Sequence, residues 1–219
     1  MDSISMATPI SDILDTIDQV TQNYAIHGYA ALASSLTRPI TMVIIAYIAF
    51  IGWSILQGWS KLAVGEAVKH VVKIALGFSL ATKWDVFATY IYNVLTNGPN
   101  ELSAILMQSA GSSFDSANSA LQDAFNQGLN IGNQFWQLGG LHALSYYLVA
   151  IIVWLLNFLV SGVALLELVV SKCGLAVTLV LAPIFCTCLI WDATRNIFVS
   201  WLRYALGFSL VPLFLSAVS

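Results

Sequence analysis

Long apolar runs alternate with short polar segments along this chain, a pattern typical of a protein that crosses a membrane several times. The apolar runs cover residues 39–59, 74–95, 141–166, 174–191 and 196–218. A spanning helix needs about 20 apolar residues, and each run is close to that length. The pattern therefore predicts an all-α polytopic membrane protein with about five transmembrane helices.

The N-terminal residues 1–38 are too acidic to form another span. Apolar residues recur at helical spacing from Ile10 to Val20, with three aspartates on the other side. This predicts an N-terminal amphipathic helix that lies on the membrane or on a partner, with Ile13 and Ile17 among its contact residues. The same pattern is equally typical of a helix packed on its own chain.

A polar segment, 98–140, separates the first two predicted spans from the last three. Its apolar residues keep an approximate helical spacing, which predicts one or two helices outside the membrane. Phe114, Leu121 and Phe125 form a candidate partner-contact surface, with packing on the same chain as the alternative. The chain thus divides into 1–38, 39–97 with two membrane helices, 98–140, and 141–219 with three.

The last two apolar runs flank four polar residues, and this pattern predicts a membrane hairpin. Asp192 and Arg195 bound the turn, and Trp191 and Trp201 are placed as interfacial aromatic residues. Pro183 makes the first arm prone to kink, which neighbouring helices tolerate by satisfying the freed carbonyls. We predict that this hairpin is a structural centre of the protein.

Composition agrees with membrane embedding and disfavours catalysis. The 219 residues are 58% hydrophobic and 9% charged, against about 25% charged in a soluble domain. The net charge of −3 argues against a polybasic surface for nucleic acid, although direct contact stays open. The sequence contains no nucleophile–base pair, phosphate loop or metal-ligand spacing. We therefore expect no catalytic residue, metal or cofactor, and a protein that is not an enzyme.

Three charged residues fall inside or beside apolar runs: Lys83, Glu167 and Arg203. A charged residue at membrane depth is costly and is a candidate functional site. Lys83 either faces a water-filled centre or marks the place where its helix ends. Arg203 has Glu167 or Asp192 as a possible partner. A small-solute transporter or channel would gather these residues around one site, and this alternative remains open.

Short motifs in both halves of the chain resemble a known family. The chain resembles the TrbL-like polytopic inner-membrane subunit of bacterial type IV secretion systems. This resemblance covers most of the chain, from Thr37 to Leu215. The motifs are Gly52-Trp53 followed by Gly58, Asn97-Gly98-Pro99-Asn100, Leu181-Ala-Pro-Ile-Phe185, Thr194-Arg195, and Phe198-Val-Ser-Trp-Leu202.

The resemblance implies a subunit of the bacterial inner membrane that assembles into a homo-oligomeric ring. Such a platform would support pilus assembly and the translocation of DNA or protein, as in conjugation. Its partners would be pilin and pilus-tip subunits, other inner-membrane components of the secretion system, and separate ATPases.

Positive charge indicates the orientation. No Lys or Arg occurs between Trp84 and Ser171. With five spans, the positive-inside rule favours a periplasmic N-terminus, a cytoplasmic C-terminus and a periplasmic 98–140 segment.

Overall fold

The computed structural model describes residues 9–58, 64–109, 117–139 and 144–218, and every regular element in these ranges is helical. A π-helical turn, Ala88–Tyr92, connects the short helices Trp84–Phe87 and Asn93–Thr96. The helices are α1 (Pro9–Leu56), α2 (Val64–Thr82), α3 (Trp84–Phe87), α4 (Asn93–Thr96), α5 (Gly98–Ser109), α6 (Ala117–Leu138), α7 (Leu144–Val180), α8 (Ala182–Thr187) and α9 (Arg195–Val218).

Three of the described helices are long and apolar enough to cross a membrane. They correspond to Ile10–Leu56, Leu144–Val180 and Arg195–Leu215. The all-helical fold is confirmed, and the structure supports three candidate spans where the sequence predicts about five.

Two predicted spans are not separate long helices: 174–191 begins inside α7, which continues from 141–166, and 74–95 is divided where α2 ends at Thr82. Two predicted boundaries also lie inside continuous helices. Pro39 lies within α1, where the hydroxyls of Thr37 and Thr41 donate to carbonyls four residues earlier. Proline is tolerated in membrane helices because such groups and neighbouring helices compensate for the lost hydrogen bond. Glu167 and Lys172 lie within α7. Both have a good helix propensity, so charge alone does not end the helix.

Lys83 marks a helix end. Helix α2 stops at Thr82, Lys83 is extended with φ −110° and ψ 111°, and α3 begins at Trp84. This helix end agrees with one of the two alternatives for Lys83.

The chain divides into two compact units. Unit 1 comprises Met1–Val20, Thr96–Cys173 and Phe208–Ser219. Its core consists of buried apolar side chains from the start of α1, from α6 and from the later part of α7: Ile10, Leu14, Leu121, Phe125 and Leu168. The backbone N–H of Ile10 donates to the Gln122 side chain at 3.0 Å, which ties the first turn of α1 to α6.

Unit 2 comprises Thr21–Leu95 and Gly174–Gly207. Tyr29 is fully buried in it, and its hydroxyl donates to the Leu80 carbonyl at 2.6 Å. The Tyr29 ring stacks on Phe87 with centroids 4.8 Å apart, and Trp84 meets it edge-on at 5.1 Å. These contacts hold α1 against α2 and α3.

Candidate functional site

The terminal hairpin has the shape that the sequence predicts, with a break in its first arm. Helix α7 ends at Val180, α8 starts at Ala182 with Pro183 in its first turn, and α9 starts at Arg195. The intervening turn is closed by the Thr194 hydroxyl, which donates to the Cys188 carbonyl at 2.9 Å. Proline lacks the N–H that an interior helical position needs, and this favours a restart of the helix there.

Trp201 lies inside the hairpin, whereas the sequence places it at the membrane interface. It is 4% exposed, and its indole N–H donates to the Thr178 carbonyl at 3.0 Å. Its ring stacks on Phe185 with centroids 5.7 Å apart. Thr178 is only three residues before the α7 break, so this indole fixes α9 against the end of α7.

The turn of the hairpin is joined to α2 by an ion pair. The Lys73 ammonium donates to the Asp192 carboxylate at 2.6 Å, and both side chains are exposed. Trp191, beside Asp192, meets Tyr47 edge-on with centroids 6.4 Å apart. The hydrogen bond and the positive charge of Lys73 lower the pKa of the Asp192 carboxyl.

The lowered pKa of Asp192 predicts that the hairpin turn loses stability only at acidic pH. A carboxyl with a lowered pKa in the folded state contributes stability at neutral pH and loses it as the pH falls below about 4. Both side chains are exposed, so we expect Asp192→Asn to leave the thermal midpoint at pH 7 nearly unchanged. A spin label at Ala193 should gain mobility below pH 4 in the parent and be pH-independent in Asp192→Asn. Identical acid responses in both proteins would contradict the prediction.

Helices α6 and α7 pack closely where α6 carries two glycines, Gly128 and Gly132. A Cβ atom on Gly128 or Gly132 would collide with the side chains of Asn157 or Trp154. The Asn157 amide donates to the Phe125 carbonyl at 3.0 Å, at the same contact. The sequence analysis missed this site. Its signal is the spacing of Gly128 and Gly132, a small-xxx-small pair that permits close helix approach.

The face of α6 that points away from α7 is polar throughout. At 100° per residue, eight polar residues cover about a third of its circumference. They are Ser119, Asp123, Asn126, Gln127, Asn130, Asn133, Gln134 and Gln137. We call the five exposed members Gln127, Asn130, Asn133, Gln134 and Gln137 the amide face.

On the side of α7 opposite α6, four apolar residues form an exposed stripe. Leu148, Ile152, Leu155 and Leu159 recur at intervals of four and three, and each is 57–64% exposed. We call them the apolar stripe. The α6–α7 pair is therefore a two-sided layer with amides on one face and aliphatic side chains on the other.

The predicted partner-contact residues have different environments. Leu121 and Phe125 are buried in the core of unit 1, so the chain itself covers them. Ile13 is exposed, Ile17 is half-buried, and Phe114 lies outside the described residues. The exposed apolar surface of unit 1 thus includes Ile13 and the apolar stripe, and excludes Leu121 and Phe125.

The three candidate intramembrane charges are exposed, with Lys83 and Arg203 in unit 2 and Glu167 in unit 1. Asp192, a predicted partner of Arg203, pairs with Lys73 instead.

Lys172 pairs with Asp18 at 2.7 Å and also donates to Asn118. Sequence reasoning missed this second pair, because its members are 154 positions apart. Within the described ranges, no group of three or more His, Cys, Asp or Glu is placed to hold a metal ion.

Comparison with known proteins identifies relatives of this chain. Residues 44–219 match the profile of the TrbL/VirB6 plasmid conjugal transfer protein family. The chain is 22% identical to the type IV secretion system protein VirB6 of Bartonella henselae, over 93% of the chain and 63% of that protein. For the protein of the same name in Bartonella quintana the identity is 22%, over 83% of the chain and 56% of the relative.

A longer protein of Rickettsia felis is 25% identical over 93% of the chain and 23% of its own length. The chain thus spans between about a quarter and two thirds of these curated relatives. The family match extends over most of the chain, from the middle of α1 through α9, and confirms the resemblance found in the sequence. The chain belongs to the TrbL/VirB6 plasmid conjugal transfer protein family.

Proposed function

We propose that this chain is an inner-membrane subunit of a type IV secretion system and assembles into a ring. The ring would be a platform for pilus assembly and for the passage of DNA or protein across the inner membrane. Family membership and the three apolar helices support a membrane component of such a system. The family is known for structural secretion components and is not a known enzyme family.

The two-sided α6–α7 layer is the observation that carries this proposal. A row of aliphatic side chains more than half exposed on one helix is unstable in water and needs lipid or protein to cover it. We propose that the apolar stripe contacts the next copy of the chain. The amide face would then remain available to polar partners, among them pilin, pilus-tip and other secretion-system subunits.

The ion pair in unit 2 supports an orientation. Lys73 and Asp192 place the hairpin turn, which Arg195 follows, beside the middle of α2. Because cytoplasmic ends are enriched in Lys and Arg, we propose that this end of unit 2 faces the cytoplasm. The N-terminal part of α1 would then be periplasmic, as the sequence predicts.

Cysteine cross-linking in a deletion strain tests the ring. The three native cysteines are replaced by serine, and Leu155→Cys is compared with Gln134→Cys on the opposite face of the layer. Each variant carries one cysteine and can form one disulfide, so we expect oxidation to produce a cross-linked dimer from Leu155→Cys and mainly monomer from Gln134→Cys. The same cells should regain substrate transfer when the parent chain is supplied.

Two results would refute the proposal. A strain lacking the chain that transfers DNA and protein normally would exclude the secretion role. A monomer at both cysteine positions, in a chain that moves a small solute into vesicles, would favour the transporter instead. The rescue by the parent chain controls for polar effects of the deletion.

A further inference from the structure

A groove of about 420 Å³ lies within unit 1, between α7 and the last turns of α9. Its walls are apolar and include Val163 and Val170 of α7 and Phe208 and Val211 of α9. Both helices belong to the candidate membrane spans. The groove is therefore suited to an apolar occupant from the bilayer.

Glu167 is the charged residue of this groove. The other polar residue, Ser171, is buried and donates its hydroxyl proton to the Leu168 carbonyl at 2.8 Å. Among the described residues Glu167 has no ion-pair or hydrogen-bonding partner. Lys172, a nearby cation on the same helix, is engaged by Asp18. The groove thus combines an apolar wall with an unneutralised carboxylate.

The position of Glu167 along α7 indicates what would neutralise it. The preceding residues 144–166 carry no charge and are long enough to cross the hydrocarbon region. Glu167 directly follows this run, so it lies where the hydrocarbon gives way to lipid headgroups. At this depth the carboxylate is within reach of a headgroup cation, which would pair with it.

We propose that the groove binds an aminophospholipid such as phosphatidylethanolamine. The acyl chain lies along the apolar wall, and the headgroup ammonium donates a charge-assisted hydrogen bond to Glu167. Phosphatidylglycerol has the same phosphate but no ammonium, so it offers the carboxylate no cation, and its net negative charge is repelled. This site is independent of the proposed secretion role, and neither requires the other.

Native mass spectrometry of the purified full chain tests the proposal. Delipidated protein receives phosphatidylethanolamine or phosphatidylglycerol with identical acyl chains, so the lipids differ only in the headgroup. We expect the parent to bind phosphatidylethanolamine about tenfold more tightly, in line with a charge-assisted contact. Glu167→Gln should bind both lipids equally, and the matched control Glu101→Gln, an exposed carboxyl on α5, should behave as the parent.

A second variant tests the groove itself without changing charge. Val163→Trp fills the apolar wall and should reduce binding of both lipids. Equal binding of the two lipids by the parent, or an unchanged preference in Glu167→Gln, would overturn the proposal. So would recovery of a hydrophobic protein segment at the groove by photo-crosslinking from position 163 in native membranes. Binding is measured on the isolated chain, so a failure of secretion does not affect the result.

Discussion

Gly132→Ala is expected to loosen the packing of α6 on α7 and to weaken the assembly of the proposed ring. The added methyl group would occupy space that the Trp154 indole fills in the structure. Either the indole leaves its rotamer, losing its hydrogen bond to the Leu129 carbonyl, or the helices move apart. Overpacking of this kind costs about 1–3 kcal/mol, partly offset by about 1 kcal/mol because alanine is the better helix former. Each kcal/mol lowers the thermal midpoint by about 2–4 °C in a chain of this size.

Gly162→Ala is the matched control, on α7 itself. A Cβ atom there meets no other atom within 4 Å. Alanine is the better helix former by about 1 kcal/mol, so this substitution should raise the thermal midpoint slightly. Thermal unfolding in detergent and blue-native electrophoresis measure both variants. If Gly132→Ala and Gly162→Ala shift the thermal midpoint equally, α6 and α7 are not in close contact at Gly132.

The sequence predicts helical structure well because its hydrophobic runs are long and nearly free of charge. It predicts helix ends less well. Pro39 and the pair Glu167 and Lys172 interrupt the apolar pattern, yet α1 and α7 continue through them. At Lys83 a similar interruption does end a helix. Local composition does not distinguish these cases, because the outcome depends on contacts such as the one between Lys172 and Asp18.

The candidate site was predictable in part. The hairpin turn was visible as four polar residues between two apolar runs, and the structure has a turn there. The partner of Asp192 was not predictable, because Lys73 is 119 positions away and Arg195 and Arg203 are much nearer in sequence. The burial of Trp201 was not predictable either, because its hydrogen-bond acceptor is a backbone carbonyl, which has no sequence signature.

Trp201→Ala is expected to be the most damaging single substitution in the hairpin. Removal of a buried tryptophan costs about 3–5 kcal/mol, through lost burial and the cavity left behind. The Phe185 ring loses its stacking partner, and the Thr178 carbonyl loses its donor. Pro183 and Trp201 support the same break between α7 and α8, so we also expect Pro183→Ala to reduce secretion more than Lys172→Ala at equal protein levels.

Two companion variants separate the causes. Trp201→Phe keeps one aromatic ring and removes the N–H donor together with part of the buried indole, so it should cost less than Trp201→Ala but more than the roughly 1 kcal/mol of one hydrogen bond. Trp53→Ala removes an indole that is 62% exposed and should change stability little. The measurement is the thermal midpoint in detergent, with secretion assayed in the same strains. If Trp53→Ala and Trp201→Ala are equally destabilising, Trp201 is not the buried anchor of α9, and the hairpin must be held by the Lys73–Asp192 pair and the Thr194 turn instead.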